Sequence, residues 1–409
     1  MTTPPTPDPV EPLRREVLAA VDEAAGELWA LALDIHAHPE VAFQEHHAAE
    51  VLTAALARHG FRITRPVADL ATAFRAEVGG DRPGPTVAFL AEYDALPEIG
   101  HACGHNLICT MALGAGIGLR RVADRLPGRV LVLGTPAEEG GGGKVLMLQR
   151  GAFAGVDAAL MVHPAGVTLP ARGSLASNRL KVRYLGRAAH AASAPFEGVN
   201  ALDALILLFA AVGLLRQQLR DDARIHGIIT YGGSAVNVIP DRAEAVFSVR
   251  AADGEYAQEA MAKVVNCAQA AAQATGATLE YEIVPGYAAI RPNRPLAEAF
   301  ARHLEALGWP IDPAPERPRM GSTDMGNVSV ALPAIHPYIA IGPAELKGHT
   351  VEFQEAAVSP KAREALVAAA KAMALVGLDL LTDPAFLEAV RADFAAGALP
   401  GMAAGGASP

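Results

Sequence analysis

The chain has 409 residues, 51% of them hydrophobic but only 5% aromatic, and a formal net charge of −10. That length exceeds what one compact core ordinarily serves, so two domains are expected. The acidic balance, with no run rich in Lys or Arg, excludes nucleic acid as a partner, and only three cysteines (Cys103, Cys109 and Cys267) exclude a disulfide framework and point to the cytoplasm.

Residues 1–12 are rich in Pro and Thr, lack an apolar stretch, and read as a disordered lead rather than a signal peptide. Apolar residues then recur at helical spacing over 13–36, and Pro39 disfavours continuation. A second helix is expected over 45–59, stopping at Gly60. Residues 72–78 alternate as a strand, and 86–90 form a short apolar run of the buried-strand type. After the turn-like Asp94-Ala95-Leu96-Pro97 comes His101-Ala102-Cys103-Gly104-His105-Asn106, a thiol and two imidazoles in a very short span. These are good ligands for a borderline metal ion.

Residues 106–123 are predicted helical, with small residues that allow close packing. The buried strand 130–133 delivers Glu138-Glu139, followed by the glycine run 140–143, which lets a ligand approach the backbone. One carboxylate can hold metal while the other accepts a proton from water. The glycines are not a phosphate loop, because Val145 follows Lys144 where Ser or Thr is needed. A helix over 145–150 precedes the strand 158–162, which delivers His163. Strands alternating with helices imply a mostly parallel sheet with helices on both faces, and ligands in such α/β folds collect at the carboxyl ends of the strands.

The pattern then changes. Strand 180–185, helix 201–219, strands 225–230 and 243–250, helix 256–274 and strand 278–284 give the β-α-β-β-α-β order of a ferredoxin-like α+β unit. The apolar run 205–215 falls short of the roughly 20 residues that cross a bilayer and reads as a buried or dimer-facing helix. His190, among small neighbours, is either exposed or part of a site completed between domains. Beyond it lie a helix over 296–307, a polar loop over 321–327, a strand over 334–341, the loop Gly348-His349-Thr350 and a closing helix over 360–381. The expected domains are 13–176 and 291–394, forming the catalytic domain, with 177–290 inserted as a lid and 395–409 a flexible tail. His36, His38, His46, His47, His59, His101, His226, His303 and His336 read as ordinary histidines, and Cys109 and Cys267 as small apolar residues.

Six motifs, in order along nearly the whole chain, resemble the M-twenty metallopeptidases: Asp94-Ala95-Leu96-Pro97, His101 to Asn106, Pro136-Ala137-Glu138-Glu139-Gly140, Val162-His163-Pro164, His190-Ala191-Ala192 and Gly348-His349-Thr350. Within that family they look like the amidohydrolase branch of hippurate and indoleacetyl-amino-acid hydrolases. Glu92-Tyr93-Asp94, the glycine run and the segment 321–327 most resemble aminobenzoyl-glutamate hydrolase and β-alanyl-lysine dipeptidase. The resemblance implies a zinc-exopeptidase-like fold and a dinuclear metal site. Cys103 matches the bridging ligand, His105 and His163 the remaining protein ligands of one metal, and Glu139 and His349 those of the other. Glu138 matches the general base, and Asp94 the acid that orients a ligand from behind. His190 matches a lid histidine that reaches the partner's site in family homodimers formed through the lid. Asn237 and Arg250 match lid residues that bind substrate. Glu92 stands where peptidase branches have a histidine, which shifts that role to His105.

Zinc suits this N, S and O ligand set, and manganese, cobalt and nickel are alternatives. The implied activity is that of an aminoacylase or dipeptidase, hydrolysing the amide bond of an N-acyl amino acid or dipeptide, with no membrane or nucleic-acid partner. The competing readings are a metal-free cysteine amidase using Cys103 and a non-catalytic binding protein on the same fold.

Overall fold

A computed structural model describes residues 9–315 and 320–397. The chain divides into two compact units, one built from the residues up to Arg172, Arg291–Arg319 and Asn327 onward, the other from Gly173–Ile290 and Met320–Gly326.

The first unit is organised by a six-stranded sheet in the order Arg62–Thr64, Phe74–Gly79, Arg129–Gly134, Thr86–Ala91, Ala158–Leu160, Ala334–Ile335. The last four strands in that order run parallel, and the first two pair antiparallel at one edge. Burial follows the pairing. Every residue of central Thr86–Ala91 is buried, whereas Phe74–Gly79 alternates between buried and partly or fully exposed positions. The helix His105–Arg120 is buried from His105 through Leu119, and its glycines admit close neighbours. A Cβ at Gly114 would lie 2.8 Å from Ala370 and one at Gly118 2.8 Å from Val21, so Glu11–Ala37 and Pro360–Thr382 pack directly against this helix.

Several expectations are corrected. The strands expected over 158–162 and 334–341 are each broken. Pro337 has no N–H to continue a ladder, and the chain steps into a separate parallel pair, His163–Ala165 with Tyr338–Ala340. His163 therefore opens a short strand instead of ending a long one. The polar loop expected over 321–327 gives way to a helix at Met325–Ala331. Pro360–Thr382 does not close the fold: Asp383 caps a further helix, Pro384–Ala396, by accepting from the backbone N–H groups of Ala385 and Phe386. The expected tail 395–409 thus begins inside a helix, and its part from 398 on lies outside the described residues. The expected lead ends early, because Glu11 already opens a helix, and its residues 1–8 also lie outside the description.

The second unit is a four-stranded antiparallel sheet in the order Thr278–Tyr287, Ala176–Leu185, Arg242–Ala251, Arg224–Tyr231. Helices Ala201–Leu215 and Gly254–Thr275 share its apolar core through Leu205, Leu208, Val264 and Ala268, packed with Leu180, Phe247 and Val249. The run expected to be too short for a membrane lies in a longer helical stretch, Ala201–Gln218, which with Pro360–Thr382 is long and apolar enough to cross one. Pro360–Thr382 is mostly buried in the first unit's core, and Ala201–Gln218 buries one face on its own sheet.

Candidate metal centre

Three buried strands of the first unit point their carboxyl ends at one place. Thr86–Ala91 leads to Glu92 and Asp94, Arg129–Gly134 leads to Glu138 and Glu139, and Ala158–Leu160 leads to His163. Gly104 starts the helix that carries His105. Its φ of 77° is left-handed, and a Cβ there would fall 2.5 Å from Pro164 Cγ. Only glycine lets the Cys103–His105 turn sit this close to the strand that begins at His163.

The turn before Glu138 is also tightly set. Ala137 has a φ of 62°, unusual for a residue with a side chain, and its N–H donates to Glu45 Oε1 at 2.9 Å. Glu45 is fully buried, accepts as well from the Phe43 N–H and the Thr72 hydroxyl, and is pushed up to about 7 by burial. His349 likewise sits at φ 63°, pinned by its N–H to the Ala102 carbonyl at 2.8 Å.

The side chains converge. Cys103 Sγ lies 3.4 Å from His163 Nε2. His163 Nδ1 is 2.7 Å from the Pro164 carbonyl, so it carries the proton and leaves the Nε2 lone pair facing the thiol. His105 Nδ1 donates to Asp94 Oδ1 at 3.0 Å, which frees its Nε2 in the same way. Asp94 Oδ2 accepts the Glu139 N–H at 2.9 Å. His349 Nε2 stands 3.2 Å and His105 Nε2 4.0 Å from Glu139 Oε1. Ligand atoms of Cys103, His105 and His163 lie within 4.8 Å of one another, as do those of Cys103, Glu139 and His349, and those of His105, Glu138 and Glu139. Cys103 is common to the first two groups.

Two atoms test whether cations fit. His105 Nε2 and Glu139 Oε1 are buried with no contact of good hydrogen-bond geometry, their near neighbours being the Glu92 carboxylate at 3.6 Å and the His349 imidazole at 3.2 Å. Orphaned polar atoms at such depth are costly, and both are metal-ligand atoms in a mixed N, S and O set. The residues present fit a divalent pair. Burial pushes the His163 imidazole well below its ordinary range, so it is neutral and able to ligate. Burial also pushes the Cys103 thiol up. The nearby Cys103 and then Glu139 raise His349 to about 10, a proton that a cation would displace. Asp94 is held below the usual carboxylate range. Burial opposes that shift, and the His105 imidazole beside it overcomes burial.

Glu92 is 3.6 Å from His105 Nε2 and forms a fully buried ion pair with Lys144. Neither the pair nor the role of Glu45 was legible in the motifs. Arg172, His336 and Tyr338, which surround His163, were not either. The remaining candidates lie in the second unit. His190 is exposed, and its Nδ1 accepts from the Ala192 and Ser193 N–H groups at 3.2 and 3.3 Å, leaving Nε2–H as an outward donor. Asn237 is its close neighbour, accepting the Ala191 N–H at 3.0 Å. Arg250 lies on strand Arg242–Ala251 with its Nε on Ser248 Oγ at 3.3 Å, and no hydrogen bond among the described residues joins it to His190 or Asn237.

Residues 88–376 match the profile of Peptidase family M20/M25/M40. The chain belongs to this family. It is 41% identical over 405 residues to an Xaa-Arg dipeptidase of Mus musculus, an alignment covering 94% of this chain and 93% of that protein. It is 36% identical over 294 residues to a subunit of the p-aminobenzoyl-glutamate hydrolase of Escherichia coli K12, covering 67% of this chain and 61% of that one. A solved dinuclear metal binding peptidase of the family from Bacillus subtilis shares the fold with a TM-score of 0.70 at 23% identity, over 88% of this chain and 99% of that one. Family membership makes this chain a hydrolase of amide bonds.

Proposed function

We propose that the chain is a two-metal dipeptidase or N-acyl amino acid hydrolase. The observation that carries this reading is the pair of ligand groups sharing Cys103, with Glu139 Oε1 3.2 Å from His349 Nε2 and 4.0 Å from His105 Nε2. In this reading Cys103, His105 and His163 hold one cation, and Cys103, Glu139 and His349 the other. Zinc suits the ligands best, ahead of manganese, cobalt or nickel. Bound divalent ions would polarise the scissile carbonyl and lower the pKa of water towards roughly 7.

The chain's own residues do the rest. Glu138 takes the proton of the attacking water and returns it to the leaving amine. Asp94 fixes the tautomer of His105 and the backbone of Glu139. His190 offers its Nε2–H to the carbonyl oxygen as charge builds there, and Asn237 and Arg250 contact substrate. The relatives' names support a substrate that is a dipeptide or an acylated amino acid.

A homodimer through the second unit completes the reading. Among the described residues its edge strand Arg224–Tyr231 pairs on one side only, and it carries exposed Ile228, while the helix Ala201–Leu215 exposes Ile206 and Leu214. The free thiols suit a cytoplasmic location.

The rival is a thiol amidase, favoured by the 3.4 Å approach of Cys103 to His163. A thiol nucleophile needs a depressed pKa, and burial moves Cys103 the other way. A panel of hippurate-like, aminobenzoyl-glutamate and dipeptide substrates, run with and without chelator, tests the choice. Activity lost to chelator and restored by added zinc or manganese fits the two-metal reading. Activity that survives chelation and falls to iodoacetamide overturns it.

A further inference from the structure

Arg172 is a deep cation that the proposed mechanism does not use. Its Nε donates to the His336 carbonyl at 3.2 Å, its Nη1 to the Tyr338 hydroxyl at 2.6 Å and its Nη2 to His336 Nδ1 at 2.8 Å. Its Cζ also lies 3.9 Å from the centroid of the Tyr338 ring. Both aromatic neighbours flank a proposed metal ligand. The His163 ring centroid is 5.5 Å from that of His336 and 5.6 Å from that of Tyr338, and Tyr338 is the cross-strand partner of His163. Arg172 thus stands one side chain behind the metal centre, inside the same unit.

Three features make it a receptor for an anion and not a strut alone. Its hydrogen-bond partners are a backbone carbonyl, a phenol hydroxyl and an imidazole nitrogen, none of them a carboxylate. No ion pair among the described residues includes Arg172, so its charge has no carboxylate in contact. A guanidinium also has more N–H donors than these three bonds use. Even half-buried, a charge with no anionic partner is costly to maintain. Arg172 is half-buried, as are Cys103, His163, Tyr338 and Glu138. The matching ligand is a carboxylate, which a planar guanidinium binds through paired hydrogen bonds.

We propose that Arg172 binds the free carboxylate of the substrate and so selects dipeptides and N-acyl amino acids over their amides. This rests on the amide-hydrolase reading above. The carboxylate would be held from the catalytic unit itself, independently of Arg250 in the second unit.

The test compares kcat/KM for the best substrate of the panel with that for its C-terminal amide, in the metal-loaded enzyme. Wild type should prefer the acid strongly. Arg172→Met should lose roughly 30- to 1000-fold on the acid, the range for removing one partner of a buried charged pair, and leave the amide within about threefold. Most of the loss should fall on KM. Arg172→Lys, which keeps the charge and is the milder change to the fold, should recover part of the preference. Equal losses on acid and amide would show a structural strut and overturn the proposal. So would an unchanged preference in both variants, or a preference abolished by Arg250→Met and untouched by either change at Arg172. A wild type that cleaves acid and amide alike also overturns it, whereas a wild type that cleaves no member of the panel overturns the hydrolase reading beneath it.

Discussion

Replacing Asp94 by Ala removes one carboxylate that serves two proposed ligands. Oδ1 holds the His105 Nδ1 proton at 3.0 Å and Oδ2 holds the Glu139 N–H at 2.9 Å. Without it, the buried His105 can move its proton to Nε2, the atom needed for metal, and the Glu139 backbone loses its anchor. Each orphaned buried donor costs about 1–3 kcal/mol. Loss of such an orienting partner typically weakens metal binding by about 10- to 100-fold, which is roughly 1.4–2.7 kcal/mol. Asn at this position keeps one acceptor oxygen for two donors and should fall between wild type and Ala. The assay is competition for zinc between the metal-free protein and a chromophoric chelator, with thermal unfolding as the control for folding. A folded Asp94→Ala protein that binds zinc within twofold of wild type would refute the orienting role.

Other outcomes follow from the same geometry. Gly104→Ala places a Cβ 2.5 Å from Pro164 Cγ at a φ of 77°; it should cost about 1–3 kcal/mol in thermal unfolding and lower bound metal, and an unchanged melting temperature would contradict the close-approach argument. Glu45 is raised from 4.5 to about 7 by burial, so between those values the folded protein keeps a proton that the unfolded chain has released. Its contribution to stability is therefore complete below pH 4.5 and lost as pH rises through about 7, on the order of 3 kcal/mol in all. Denaturant titrations of wild type and Glu45→Gln should diverge across that window, and parallel curves would refute the shift. Glu138→Gln should lower kcat by roughly 10²- to 10⁴-fold with bound metal unchanged; near-normal turnover would remove Glu138 from the base role.

What the sequence made legible was local. Cys103, His105 and the Glu138-Glu139 pair are chemically unusual residues at short spacing, and the buried runs before them identify the strands that carry them. The α/β core and the β-α-β-β-α-β unit followed from hydrophobic periodicity. What escaped depends on distant partners or on breaks within a run. Arg172 meets His336 and Tyr338 at separations of 164 and 166 residues, Glu45 meets Ala137 at 92, and Lys144 meets Glu92 at 52. No local pattern marks such pairs. Lys144 attracted attention only as part of a glycine loop that is not a phosphate site. Two misses did carry a signal: Pro337 forbids an unbroken strand, and Asp383-Pro384 is a helix start. His336, read as ordinary, is buried and contacts the cation behind His163.

The central claim is that one thiolate serves two cation sites. Counting metal per chain tests it most directly. Protein stripped with chelator, reloaded with zinc and desalted should hold about two ions per chain, and Cys103→Ala, still folded, should hold no more than about one. Equal counts in wild type and Cys103→Ala, or full activity in a wild-type chain that retains no metal, would contradict the account.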